Sequence, residues 1–289
     1  MKKDLKEETI MKLGGIGYGL ISGAILGGIV NNDLVKPENI TISDKFEGSR
    51  KRAVEAGFTA VDDNMIAAKN DVLLVAVQPW LVPAIMDEIK DTVKENGTIV
   101  WCVAAGVTIA ELEEHLGSDA KIVRCMPNTC AQVGAAVTAV VPNKNVSKEE
   151  TEIMLKLISG FGIAEILDES KLNGIIPVTG SSPAMVFMLI DAMANGAARE
   201  GFTWEQAIKF SAQAVKGSAE MVLRSGKHPA ELQNQVCTPG GITIEMVKRL
   251  ESFGFRNAVM ELCRLVQKIW INRKSSGLKI HLYIFIIIS

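Results

Sequence analysis

Residues 15–25 read GIGYGLISGAI, and the reading of this stretch decides the fold. It follows a short apolar run, KLGGIG at 12–17, and opens residues 20–30, whose apolar positions have helical spacing. Gly17 and Gly19 take the first two places of the pattern G-x-G-x-x-G, Ser22 stands at the third, and Gly23 follows. On a strand–turn–helix, the first glycine makes the tight turn and the second admits a pyrophosphate. The third place must be small so that helix and strand can pack, which Ser22 allows. The helix start would then offer N–H groups and a positive dipole end to the phosphates. A glycine-rich packing seam is the plainer reading that this stretch alone leaves open.

The flanking sequence supports the nucleotide reading. NITIS (39–43), DVLLVAV (71–77), TIVWCV (98–103), KIVRC (121–125), AAVTAVV (135–141) and IAEIL (163–167) read as further strands. Helical patterns near 47–57, 79–94, 108–116 and 147–160 lie between them. Several of these runs are apolar on both faces, as central parallel strands are. The alternation predicts an α/β fold with a doubly wound sheet. After about residue 168 the strand signal stops. Residues 183–200, 203–225 and 240–270 have helical spacing with glycine breaks at 201 and 226, so an all-α domain should follow.

Sheets of this kind bind ligands beyond the carboxyl ends of their strands. The second strand ends in TISDK, where Asp44 suits a ribose 2′-hydroxyl and NADH. Lys45, with Arg50 or Lys51 nearby, suits a 2′-phosphate and NADPH instead. The residues leave both open. AVQP (76–79), AAG (104–106) and MPNT (126–129) end later strands and together read as one cleft.

Composition narrows the function classes. Of 289 residues, 48% are apolar, and the net charge of −2 gives no general attraction to nucleic acid or acidic membranes. Aromatics, at 5%, are too sparse for base-stacking platforms. Five cysteines without C-x-x-C spacing read as reduced thiols of a cytoplasmic protein. Three scattered histidines predict no metal site. No nucleophilic triad or carboxylate pair is visible, and His228 reads as a cap or turn residue, so the chemistry should belong to a cofactor. MKKDLKEETI at 1–10 is no secretory signal. LKIHLYIFIIIS at the C-terminus is about half the ~20 residues of a membrane span and reads as a tail foreign to the fold.

GIGYGLISGAI, AVQP, AAGVTI, RCMPNT, TGSSPA, GKHPAEL and TPGGITI, then GFRNAV, occur in the order and spacing of the pyrroline-5-carboxylate reductases, which the chain resembles from about 12 to 265. The resemblance implies an N-terminal Rossmann NAD(P)-binding domain (11–167), a helical dimerisation and substrate domain (168–272) and an atypical tail (273–289). It implies reduction of 1-pyrroline-5-carboxylate to L-proline by NADPH or NADH, the final step of proline biosynthesis. It also implies a homodimer, often assembled into decamers, with no nucleic-acid partner and no membrane span. Ile16, Gly17, Tyr18, Gly19, Leu20, Ile21, Asp44, Asn64, Ala76, Val77, Gln78, Pro79, Ala104, Ala105 and Gly106 would hold the dinucleotide, with Lys45 beside Asp44. Ile242 and Thr243 would meet the substrate, with Glu169 close by.

CTPGGITIEM (237–246) then takes on meaning. Thr238 would cap a helix with Pro239 at its first position. Free N–H groups around Gly240, Gly241 and Ile242 would bind the substrate carboxylate. The Thr243 hydroxyl would hold the ring nitrogen and act as the catalytic group. The chain departs from the family at Leu20, Gln78, Cys130, Ser182 and Met185, and the match is lost beyond about Lys268. A reductase of a related cyclic imine and a non-catalytic nucleotide-binding paralogue stay open as alternatives. A β-hydroxyacid dehydrogenase would need a lysine in SSPAMVFMLIDAMANGAAREG (181–201), which has none.

Overall fold

The computed structural model describes residues 11–275, so the readings of segment 1–10 and of the apolar C-terminal run lie outside the described residues. The described chain divides into two compact units, the first ending at Gly180 and the second spanning Ser181–Asn272. The division falls inside the helical region, later than the end of the last strand.

The first unit holds one eight-stranded sheet. Its strands are β1 (Leu13–Ile16), β2 (Ile40–Ser43), β3 (Thr59–Val61), β4 (Val72–Val75), β5 (Ile99–Cys102), β6 (Lys121–Met126), β7 (Ala136–Pro142) and β8 (Gly162–Ile166). The helices between them are α1 (Leu20–Asn31), α2 (Glu47–Glu55), α3 (Asn64–Ala68), α4 (Val82–Asn96), α5 (Ile109–Leu116) and α6 (Lys148–Ser159), and α7 (Glu169–Ile176) follows β8. The order is β3-β2-β1-β4-β5-β6-β7-β8. Chain order reverses between β1 and β4, the kind of switch point where such sheets bind ligands.

Both faces of the sheet are covered. In β4, Val72 and Leu74 pack into one apolar cluster with Leu13, Ile25, Trp101 and Phe161. Leu73 and Val75 pack into another with Ile16, Val82, Met86 and Leu112. The two-residue period of a strand sends alternate side chains to opposite faces, so a strand buried on both must be apolar throughout. Trp101 and Phe161 stack with centroids 6.1 Å apart.

Two features depart from a simple parallel alternation. β7 runs antiparallel to β6, pairing Val123 with Pro142 and Met126 with Ala139. Between Met126 and Ala136 the chain has room only for a short 3-10 turn, Thr129–Val133. A parallel return needs a dozen or more residues. β3 is a further strand that hydropathy does not announce: it has three partly exposed residues at the sheet edge.

The second unit is helical: α8 (Ser182–Arg199), α9 (Trp204–Ser225), α10 (Pro229–Val236), α11 (Ile242–Ser252) and α12 (Phe255–Ser275). Thr203 and Gln206 form a capping box at the start of α9, and left-handed Gly226 ends it. His228 caps α10, its Nδ1 accepting the Ala230 N–H at 3.2 Å. The helical pattern read over 240–270 is two helices, because Gly254 turns left-handed at φ +71° between them. The faces of this unit carry exposed large apolar residues, among them Phe187, Met188, Phe210, Met221 and Leu223.

Candidate active site

The first unit holds a cavity of about 590 Å³ at the carboxyl ends of β1, β2 and β4. Gly17, just beyond β1, has φ +88°, and a Cβ there would sit 2.6 Å from Ala76 O. Only glycine turns the chain this sharply against the neighbouring strand end. Gly19 is the N-cap of α1 and provides no side-chain cap. A Cβ on Gly19 would meet nothing within 4 Å, so its backbone lies open. The first backbone bond of α1 runs from Gly23 N to Gly19 O at 2.9 Å. The N–H groups of Leu20, Ile21 and Ser22 precede it and have no partner within the helix. An open glycine turn and uncapped helix N–H groups on a cavity of this size fit the pyrophosphate of a dinucleotide.

A polar network lines the far end of the cavity. Asp44 Oδ2 accepts the Tyr18 N–H at 2.8 Å, and Oδ1 accepts the Phe46 N–H at 2.9 Å. Ser43 Oγ donates to Asn64 Oδ1 at 2.8 Å, and Asn64 Nδ2 donates to Glu88 Oε2 at 2.8 Å. Arg50 Nη1 donates to the carbonyls of Asp44 and Lys45 at 2.7 and 3.0 Å. Arg52 donates to Gly48 O, Tyr18 O and Ser49 Oγ at 3.1–3.3 Å. The Tyr18 ring meets Phe58 edge-on at 5.8 Å, and burial raises its phenol pKa against the pull of Arg52.

The lining brings together most residues expected to hold the dinucleotide: Ile16, Gly17, Tyr18, Gly19, Leu20, Ile21, Asp44, Lys45, Asn64, Ala76, Val77 and Gln78. Gln78 Oε1 is buried with no hydrogen-bond partner, an acceptor waiting for a donor. Pro79, Ala104, Ala105 and Gly106 stand outside the lining, where Val103, Leu81 and Ile85 take the wall. Ala104 and Ala105 are buried in the loop beyond β5. Ser43, Phe46, Ser49 and Glu88 also line the cavity. Sequence reading missed Glu88 because it stands on α4, with no motif of its own. Its signal was the placement of α4 after AVQP.

Glu169, expected close to the substrate, is engaged within the first unit. It stands at the start of α7, where Oε1 accepts from Arg124 Nη1 at 2.7 Å and from the Ile109 N–H at 2.9 Å. Arg124 is buried on β6, with its side chain 4% exposed. One carboxylate oxygen thus neutralises a buried guanidinium and satisfies the first N–H of α5.

In the second unit, TPGG is a turn that precedes the helix. Gly241 N donates to Thr238 O at 3.0 Å, and Gly240 has φ +71°. Pro second and a left-handed glycine third are the requirements of a type II turn. Gly241 is needed for space, since a Cβ there would lie 2.4 Å from Thr238 Oγ1. This corrects two expectations. Thr238 does not cap the helix: α11 begins at Ile242, with Gly241 as N-cap and no side-chain cap. The Gly241 N–H is consumed by the turn, so the unpaired donors at the start of α11 are those of Ile242, Thr243 and Ile244. Ile242 is 92% exposed and Thr243 is half-buried.

The two parts of the chain match two family profiles. Residues 169–268 match pyrroline-5-carboxylate reductase dimerisation, and residues 12–106 match NADP oxidoreductase, coenzyme F420-dependent. The pyrroline-5-carboxylate reductase of Escherichia coli (strain K12) is 42% identical over 255 residues, covering 86% of this chain and 93% of that protein. That of Methanosarcina acetivorans is 35% identical over 251 residues, with the same coverages of 86% and 93%. Among solved structures, a pyrroline-5-carboxylate reductase from Coxiella burnetii has a TM-score of 0.85 at 28% identity, covering 91% of this chain and 98% of that one. The Plasmodium falciparum pyrroline carboxylate reductase with NADP bound has a TM-score of 0.79 at 27% identity, covering 90% and 97%.

Proposed function

The chain belongs to the pyrroline-5-carboxylate reductase family, and we propose that it reduces 1-pyrroline-5-carboxylate to L-proline with NAD(P)H. One observation carries this reading. A chain 42% identical to a reductase of that name, across 93% of its length, keeps a cavity with the open glycine turn that a dinucleotide needs.

The bound dinucleotide supplies a hydride. The rest falls to this chain's own residues. The uncapped start of α1 holds the pyrophosphate, and Asp44 with Asn64 fixes the far ribose. The substrate is a cyclic imine bearing a carboxylate. The N–H groups of Ile242 and Thr243 at the start of α11 bind that carboxylate, and the turn Thr238–Gly241 holds them open. The Thr243 hydroxyl bonds the ring nitrogen and orients the C=N bond. A ring nitrogen that arrives protonated needs no strong acid from the protein. Glu169 acts by holding Arg124 and α5 rather than by touching substrate.

The helical unit is a dimerisation domain by its family match. The apolar stretch Glu169–Arg199 has the length and composition of a membrane-crossing helix, and it lies within that matched segment. We read its exposed apolar residues as the face a second copy covers, with dimers assembling into decamers in the cytoplasm. The test of the reaction is product identification. Purified protein incubated with 1-pyrroline-5-carboxylate and reduced dinucleotide yields L-proline, and its failure to do so refutes the reading.

A further inference from the structure

The reductase reading leaves open which dinucleotide the cavity takes, NADH or NADPH. The two differ only at the ribose that Asp44 at the end of β2 would hold, where NADPH carries a 2′-phosphate in place of a hydroxyl. At pH 7 such a phosphate brings about −1.5 to −2 of charge.

The charged side chains lining this cavity are Asp44, Lys45 and Glu88, two carboxylates against one ammonium. Gln78, a polar side chain of the lining, is neutral and presents an unpartnered acceptor. The arginines close by are turned to other work. Arg50 is held on the carbonyls of Asp44 and Lys45. Arg52 is held on Tyr18 O, Gly48 O and Ser49 Oγ. Neither arginine lines the cavity. Swinging Arg52 onto a phosphate would cost it those three bonds and leave the Tyr18 carbonyl without its guanidinium.

Asp44 is built to receive a hydroxyl. Its two oxygens each accept one backbone N–H, from Tyr18 and Phe46, which fixes the carboxylate plane. A carboxylate has about four acceptor sites, so lone pairs stay free for a hydroxyl donor. A 2′-phosphate, which has only acceptors to offer beside that carboxylate, meets like charge and, among the lining side chains, no cation except Lys45.

We infer that this chain is selective for NADH, with Asp44 as the residue that reads the 2′-hydroxyl and Glu88 adding to the exclusion of a 2′-phosphate. The inference rests on the reductase reading for the presence of a dinucleotide, but not for its substrate. Exclusion of this kind works by placing an unpaired charge against the wrong ligand.

The experiment is calorimetric binding of NADH and NADPH to the full chain, with no imine present. NADH binds about tenfold or more tightly than NADPH. Equal affinity, tighter binding of NADPH, or binding of neither overturns the inference. Asp44→Asn keeps an acceptor for one of the two backbone N–H groups and removes the charge, and it brings the two affinities together. Asp44→Ser does so further by weakening NADH and removing the like charge that would face the phosphate. Circular dichroism and melting of both variants establish that they are folded. A folded Asp44→Asn with an unchanged affinity ratio also overturns the inference. Tight NADH binding without turnover of 1-pyrroline-5-carboxylate would sink the proposed reaction and leave the cofactor selectivity standing.

Discussion

Asp44 accepts the backbone N–H of Tyr18 at 2.8 Å, joining the end of β2 to the glycine turn that follows β1. The bond ties the groups proposed to read the ribose to those proposed to hold the pyrophosphate. It is reinforced by Gly17 N donating to Ser43 O at 2.9 Å. The first prediction tests that link. Gly17→Ala meets both a left-handed backbone and the Ala76 carbonyl. It destabilises the chain by about 1–3 kcal/mol and weakens dinucleotide binding at least about tenfold. Urea unfolding and calorimetry measure the two effects separately, and wild-type values in both would refute the role of the turn.

Arg124 and Glu169 form the second test. Removing Glu169 leaves a guanidinium, 4% exposed, without its carboxylate. Glu169→Ala therefore costs stability, by up to about 3 kcal/mol once the partial exposure of Glu169 is discounted. Arg124→Met combined with Glu169→Ala recovers part of that loss, because no charge then stays buried and unpaired. Non-additivity in a double-mutant cycle of unfolding free energies is the expected signature, and simple additivity contradicts it.

Thr243→Ala lowers kcat at least as much as it weakens substrate binding, since the C=N bond is then no longer held in line for the hydride. The fall in kcat/KM is about tenfold or more. Thr243→Ser restores most of it. An unchanged kcat/KM in the alanine variant removes Thr243 from the chemistry.

The exposed apolar faces of the helical unit predict a subunit interface. Phe187 and Met188 are 62% and 74% exposed on α8. Paired substitution to glutamate shifts sedimentation toward the monomer. Sedimentation unchanged from wild type would place the interface elsewhere.

Two core thiols contribute to the loss of stability at high pH. Burial raises the Cys102 thiol from an ordinary value of 9.0 to about 11, with the Ala104 backbone and Arg124 pulling the other way. Burial raises Cys125 as well. A thiol whose pKa is higher in the folded state contributes stability below its unfolded pKa and loses it as pH rises. Unfolding free energy therefore falls between about pH 9 and 11, and both thiols resist alkylation at pH 8 until denaturant is added. A Cys102→Ala, Cys125→Ala variant with the same alkaline fall would contradict this.

The sheet was legible because central strands declare themselves. VLLV and IVWC are apolar on both faces, and the glycine turn sits where a first β–α unit must put it. β3 was not legible, since three half-exposed residues at an edge carry no hydropathy signal. The reversal of β7 follows from the length of its connection, which hydropathy does not weigh. Near α11 the grouping read from the sequence is not the one the fold adopts. A Pro-Gly-Gly run fits a helix start and a type II turn equally well until the Gly241 N–H is seen bonded to Thr238 O. Glu169 was singled out only through family resemblance. Its bond to Arg124 joins positions 45 apart in sequence, which no local pattern shows.

The most direct test of the account is the initial rate of dinucleotide oxidation with 1-pyrroline-5-carboxylate, measured with NADH and with NADPH over the same concentrations. The account predicts saturable turnover to L-proline, with a kcat/KM for NADH about tenfold or more above that for NADPH. Absence of turnover with both dinucleotides would contradict the proposed reaction.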